Sequence, residues 1–154
     1  MEISIHSLLE GATRATGTVA VIDVFRAFTT AAAVALANGA SSIVMVRTGD
    51  EALALREAGI GQICTGEVRG RAPPSFDFGN SPFEISGVDF HGKPIIQRTS
   101  AGTQGIVAAG NRAVRLYACL TGHSRGDRSR PSLGLTGSGA RTEIPRAVAA
   151  AGSD

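Results

Sequence analysis

Short apolar runs that each lead into a helix-like segment recur along most of this chain, and few architectures accommodate that order. Thr18 to Val24 (TVAVIDV) is rich in valine and isoleucine, the pattern of a strand buried on both faces of a parallel sheet. From Ala27 to Ala37 alanine dominates. Phe28, Ala31, Ala32, Ala35 and Leu36 fall at helical spacing there, and Asn38-Gly39 supplies a left-handed stop. Ser42 to Val46 (SIVMV) is a second strand, and Thr48-Gly49-Asp50-Glu51 reads as a capping box opening a helix that ends near Gly59. Gln62 to Thr65 is a third strand and Pro94 to Arg98 (PIIQR) a fourth. The fourth leads through the small-residue turn Thr99 to Thr103 into a short helix ending at Ala109, and Arg112 to Cys119 is a fifth strand. This alternation predicts right-handed crossovers and an α/β fold whose mostly parallel sheet is covered by helices on both faces.

Composition narrows the class. Hydrophobic residues make up 43% and charged residues 18%, too apolar for a disordered chain. Asp23 and Arg26 interrupt the longest apolar stretch, so nothing reaches the roughly 18 residues of a membrane span. Met1 to Gly11 lacks the features of a secretory signal, which favours the cytoplasm. Ten basic and ten acidic residues cancel through Leu120, so the net charge of +2 comes from the last 34 residues. The arginines there are scattered and lack interleaved aromatics, which argues against a nucleic-acid partner. Cys64 and Cys119 lack metal or redox spacing and read as buried filler. Residues 1–120 therefore read as one α/β domain. Thr121 to Asp154, rich in Gly, Ser and Arg, reads as a loosely packed tail.

In a parallel α/β sheet, ligands bind beyond the carboxyl ends of the strands. Asp23 and Arg26 follow the first strand, Glu67 follows the third, and Thr99, Ser100 and Thr103 follow the fourth. Asp23 either pairs with Arg26 or ligates a hard cation such as Mg²⁺. Arg26, where a helix begins, either clamps an anion together with the helix amides or is an ordinary exposed arginine. Glu67 and Asp77 share the Gly- and Pro-rich loop Gly66 to Pro82, which is longer than a connector needs to be. They can complete a metal shell or supply a general base. Asp77 can equally brace the turn Gly79-Asn80-Ser81-Pro82, where Asn80 or Ser81 caps the next helix. The hydroxyl-rich run Thr99-Ser100-Ala101-Gly102-Thr103 can present amides to an anion, although it is not a Walker loop and no G-x-G-x-x-G follows a strand. His6, His91 and His123 show no ligand-like spacing.

Three segments carry a family resemblance: VIDVFRAFTTAAAVALANGA (Val21 to Ala40), GEVRGRAPPSFDFGNSPFEI (Gly66 to Ile85) and QRTSAGTQGI (Gln97 to Ile106). In order and spacing they resemble the 2-phosphosulfolactate phosphatase (ComB-like) family, from Met1 to about Tyr117. The resemblance implies a three-layer α/β/α fold and magnesium-dependent hydrolysis of a phosphate ester on the route to coenzyme M. At matching positions it implies a pocket of Asp23, Arg26, Glu67, Asp77, Asn80, Ser81, Thr99, Gly102 and Thr103. The division of roles is inferred from the residue chemistry and not from the resemblance: Mg²⁺ held by Asp23, Glu67 and Asp77, and phosphate bound by Arg26, Asn80, Ser81, Thr99, Ser100, Gly102 and Thr103. Asp23, Arg26 and Glu67 would be catalytic and the substrate a small phosphorylated acid. Val68 stands where the family often has arginine, and Ser100-Ala101 where it often has Thr-Asn. Thr121 to Asp154 does not resemble the family's longer continuation and reads as a truncated or frame-shifted end. The competing readings are a phosphate-binding module without turnover and a structural subunit that needs a second copy or another partner.

Overall fold

The computed structural model describes residues 3–23, 28–110 and, as backbone, 113–117. Arg26, Cys119, His123 and the tail from Thr121 onward lie outside the described residues. The elements run α1 (Leu8–Arg14), β1 (Thr18–Ile22), α2 (Phe28–Ala37), β2 (Ser42–Val46), α3 (Gly49–Glu57), β3 (Ile63–Gly66), α4 (Pro82–Ile85), β4 (Pro94–Arg98), α5 (Gly102–Ala109) and β5 (Ala113–Tyr117). The chain has an α/β fold in which every ladder between these strands is parallel. The strands form two groups among the described residues, β2-β4-β3 and β1-β5, where the sequence suggested one sheet.

Side chains alternate across a strand, so neighbours on β4 enter different cores. Ile95 packs with Ala31 and Ala35 of α2, Ile85 of α4 and Phe90. Ile96 packs on the other face with Val46, Cys64, Phe76 and Ala52 of α3. The three-stranded group is thus covered on both faces, as three layers require. Burying a side chain such as Ile95 or Phe90 contributes roughly 1.5–3 kcal/mol. Phe78 and Phe90 add an edge-to-face contact with centroids 5.9 Å apart.

The local signals operate as their chemistry demands. Thr48 Oγ1 accepts the Glu51 N–H at 3.1 Å, and the Glu51 carboxylate reaches back to the Arg47 N–H at 2.9 Å. Asn38 Nδ2 donates to the carbonyls of Ile85 and Ser86, tying the end of α2 to α4. Pro82 opens α4 as expected, but Ser81, its N-cap, makes no side-chain capping bond.

One expectation is corrected and one element is new. The first strand is not buried on both faces: its residues alternate exposed and half-buried, and Ile22 is 65% exposed. Among the described residues β1 pairs only with β5 and packs against α5, so one face has no helix over it. Helix α1, which packs against α5, was not among the elements read from the sequence. No helix among the described residues is long and apolar enough to cross a membrane.

Candidate functional site

At the carboxyl ends of the strands the chain must turn while satisfying backbone groups that the ladders no longer serve. Arg98, the last residue of β4, does much of this work. Its Nη1 donates to the Glu67 carbonyl at 2.7 Å and its Nε to the Arg47 carbonyl at 3.1 Å, so one guanidinium ties together the ends of β2, β3 and β4. Beyond this rim lies a cleft of about 840 Å³ lined by Asp23, Phe28, Glu67, Arg69, Gly70, Ala72, Gly79, Asn80, Ser81, Pro82, Glu84, Thr99, Ser100 and Ala101.

Of the residues singled out from sequence, Asp23, Glu67, Asn80, Ser81, Thr99 and Ser100, from four separate stretches of the chain, line this cleft. Gly102 and Thr103 lie underneath and do not line the cleft. A Cβ on Gly102 would fall 2.3 Å from the Phe28 ring, so glycine is what lets α5 approach α2. Thr103 is fully buried. It exchanges hydrogen bonds with Thr99: Thr103 Oγ1 accepts the Thr99 N–H at 2.8 Å, and Thr99 Oγ1 accepts the Thr103 N–H at 3.0 Å. These two hydroxyls brace the turn.

Glu67 organises the loops around it. Its Oε1 accepts the Ser100 N–H at 2.6 Å, and its Oε2 accepts from the Gly70 N–H at 2.7 Å and the Ser100 hydroxyl at 3.0 Å. The Ser100 amide, expected to face an anion, is therefore already taken by a carboxylate. Burial alone would raise the Glu67 pKa. The Gly70 and Ser100 N–H groups, the Ser100 hydroxyl and the Arg98 charge outweigh it, and hold the carboxyl below its ordinary value. Asp23 moves the other way, raised by burial and then by the nearby charge of Glu67.

A stability prediction follows from the Glu67 shift. A carboxyl with a depressed folded pKa stabilises the fold above its unfolded pKa, and that contribution fades as pH falls through the folded value. Glu67→Gln is expected to cost about 1–2 kcal/mol at pH 7, the modest figure reflecting partial exposure. Urea midpoints of variant and wild type should converge on acidification below the glutamate range. A constant gap down to pH 3 would contradict this.

Asp77 is the one described residue expected at the metal that the fold takes elsewhere. It does not line the cleft. Its Oδ2 accepts the Cys64 N–H at 2.8 Å and lies 3.4 Å from Arg56 Nη1, so it braces the start of β3 against α3. The reason is local: the Asp77 N–H bonds to the Cys64 carbonyl and Phe78 bridges to Thr65, which lays this stretch alongside β3. Asp77→Ala is expected to lower stability by about 1–2 kcal/mol through the orphaned Cys64 N–H. Its effect on any phosphate-ester turnover should stay within about 2-fold, since a partly exposed ion pair contributes little. A deep loss of turnover at full stability would return Asp77 to the site.

Arg69 was overlooked in the sequence. It follows Glu67 by two residues, lines the cleft, and adopts a left-handed φ of +52°, uncommon for a side-chain-bearing residue. Its N–H is held by Ser100 Oγ at 3.0 Å. The available signal was a cation in the loop just past a strand's carboxyl end.

The family model for 2-phosphosulpholactate phosphatase matches residues 3–122, which include this whole rim. This chain belongs to that family. A probable 2-phosphosulfolactate phosphatase of Bacillus subtilis (strain 168) is 42% identical over 91 residues, covering 59% of this chain and 40% of that protein. One from Thermotoga petrophila is 46% identical over 87 residues, covering 56% of this chain and 37% of the relative. One from Thermoplasma volcanium is 35% identical over 104 residues, 68% of this chain and 48% of the relative. The matched stretch thus spans less than half the length of each of these phosphatase relatives. The family match and the fold class agree with the reading made from the three sequence segments.

Proposed function

We propose that the cleft binds a phosphate monoester and serves its hydrolysis, the substrate being 2-phosphosulfolactate, for which the relatives are named, or a related small phosphorylated hydroxy acid. One observation carries the reading. Two carboxylates whose ionisation is pushed in opposite directions share a cleft with the polar side chains of Asn80, Ser81 and Arg69, donors suited to a phosphoryl group.

The donor set suits Mg²⁺ better than a cation that demands an all-protein cage. No group of three or more His, Cys, Asp and Glu gathers among the described residues, and Mg²⁺ commonly takes one or two carboxylates plus water and phosphate oxygens. Asp23, carrying a charge disfavoured by burial and by Glu67, would be the principal ligand. Glu67 has most of its lone pairs committed to N–H and O–H donors, which leaves Oε1 the freer oxygen for a cation. The chemistry the metal supplies when bound is neutralisation of charge on the phosphoryl oxygens. Asn80 and Ser81 orient the phosphate by hydrogen bonds, and the Arg69 guanidinium adds a fixed positive charge at the lip. Arg26, three residues beyond Asp23 in the chain, is proposed from the sequence as a second cation.

A screen of phosphate monoesters with the full chain, with and without chelator and added Mg²⁺, tests this. Metal-dependent release of inorganic phosphate is expected. Hydrolysis indifferent to chelator would remove magnesium from the proposal, and phosphate binding without turnover would favour the non-catalytic module.

A further inference from the structure

We propose that Gln97 is a positioning residue that holds the Asn80 side chain with its amide N–H groups toward the cleft, so that Asn80 donates to a phosphoryl oxygen. The inference rests on the phosphate-binding reading above and adds to it a residue outside the cleft wall. Gln97 is the fourth of five residues on β4, between two paired strands, and is 2% exposed. Its strand neighbours Ile95 and Ile96 show what this environment ordinarily takes. An amide there costs stability unless both of its ends are satisfied. Here they are not: Gln97 Oε1 is buried and accepts no hydrogen bond among the described residues.

The other end of the amide shows what the chain gains by keeping it. Nε2 faces two acceptors, Asn80 Oδ1 at 3.3 Å and the Phe28 carbonyl at 3.5 Å. A backbone carbonyl can only accept, so the NH₂ must occupy that end of Gln97 and the bond to Asn80 must run from Gln97 to oxygen. Asn80 then has its oxygen consumed, and the group left to offer the cleft is its NH₂. The preceding backbone is pinned as well, since the Gly79 N–H is held by Glu84 Oε2 at 3.1 Å. The side-chain amide is what remains free to turn, and without Gln97 it can turn over and present an oxygen to an anion. A buried orphan oxygen in the central strand is the cost of setting that orientation.

The test uses the full chain and inorganic phosphate, titrated calorimetrically, in a double-mutant cycle of Gln97→Met and Asn80→Ala. Gln97→Met removes the orphan oxygen at similar volume, so its thermal midpoint should match or exceed that of wild type. Its phosphate affinity should nevertheless fall about 10-fold, the size of one hydrogen bond to a charged group. In the Asn80→Ala background the same change should have no further effect, an outcome that general loosening of the core would not produce. Gln97→Leu, which likewise lacks the donor, supplies a second arm and should weaken phosphate to a similar extent. Wild-type binding with unaltered affinity in Gln97→Met, or equal losses in both backgrounds, overturns this inference alone. A wild-type chain that binds no phosphate overturns the phosphate reading and this inference with it.

Discussion

Asp23→Asn is expected to lower metal-dependent phosphate-ester hydrolysis by about 10³-fold or more while leaving the fold at least as stable as wild type. The loss is of the size seen when one preorganised electrostatic contact to a transition state is removed, and on the proposed reading of Asp23 as a Mg²⁺ ligand the change also weakens the hold on the cation. The stability half of the result comes from the raised pKa of Asp23, caused by burial and by the charge of Glu67. An acid whose folded pKa lies above its unfolded value favours the fold while protonated, and that contribution is lost as pH rises through the folded value. Wild-type Asp23 loses it on ionising, whereas asparagine never ionises. The variant's thermal midpoint should therefore equal or exceed that of wild type at pH 7, with the difference shrinking as pH falls below the aspartate range. Such opposition between stability and activity is expected where a charge is kept for function. Unchanged turnover would remove Asp23 from the site. A variant that loses turnover by unfolding would show the carboxylate to be structural.

Gly66→Ala is expected to cost about 3–5 kcal/mol, enough to leave much of a marginally stable chain unfolded. Gly66 ends β3 immediately before Glu67, with φ +141°, a conformation that side-chain-bearing residues rarely adopt. A Cβ there would lie 1.8 Å from the Arg98 carbonyl oxygen and 2.8 Å from its carbon. Gly66 and Arg98 are register partners, so relief would pull apart the β3–β4 ladder and release the guanidinium that ties the strand ends together. Gly59→Ala is the control. Its φ of +73° imposes the left-handed penalty of roughly 1–2 kcal/mol, but nothing lies within 4 Å of a Cβ there. Chemical denaturation of the two variants separates steric collision from backbone strain alone, and similar midpoints would show that the ladder yields easily.

Several properties set by residues close in sequence could be read before the fold was known. The bounds of β2 and β4, the Thr48 N-cap and the end of α5 at Ala109 follow from apolar runs and capping chemistry within a few residues. The rule that loops beyond strand ends gather ligands, joined to the family resemblance, was enough to bring Asp23, Glu67, Asn80, Ser81, Thr99 and Ser100 together. The exposure of β1 was not legible, because an apolar strand reads the same whether or not a layer covers it. Nor was the separation of Glu67 from Asp77: two carboxylates ten residues apart in one loop look alike until Phe78 bridges to Thr65 and turns Asp77 toward Cys64 and Arg56.

Gln97 marks the boundary most sharply. In the string PIIQR it is one polar residue in a strand, and only the neighbours brought by β3, α2 and the Asn80 loop reveal that one end of its amide is used and the other orphaned. The sequence by itself determined the α/β order, the Thr48 cap and the strand ends beyond which the candidate residues lie, because periodicity, turn residues and strand polarity are properties of neighbouring residues. The tertiary structure alone decided which carboxylate braces a strand, which faces the cleft and which donors each keeps, because hydrogen-bond partners and burial depend on groups tens of residues away.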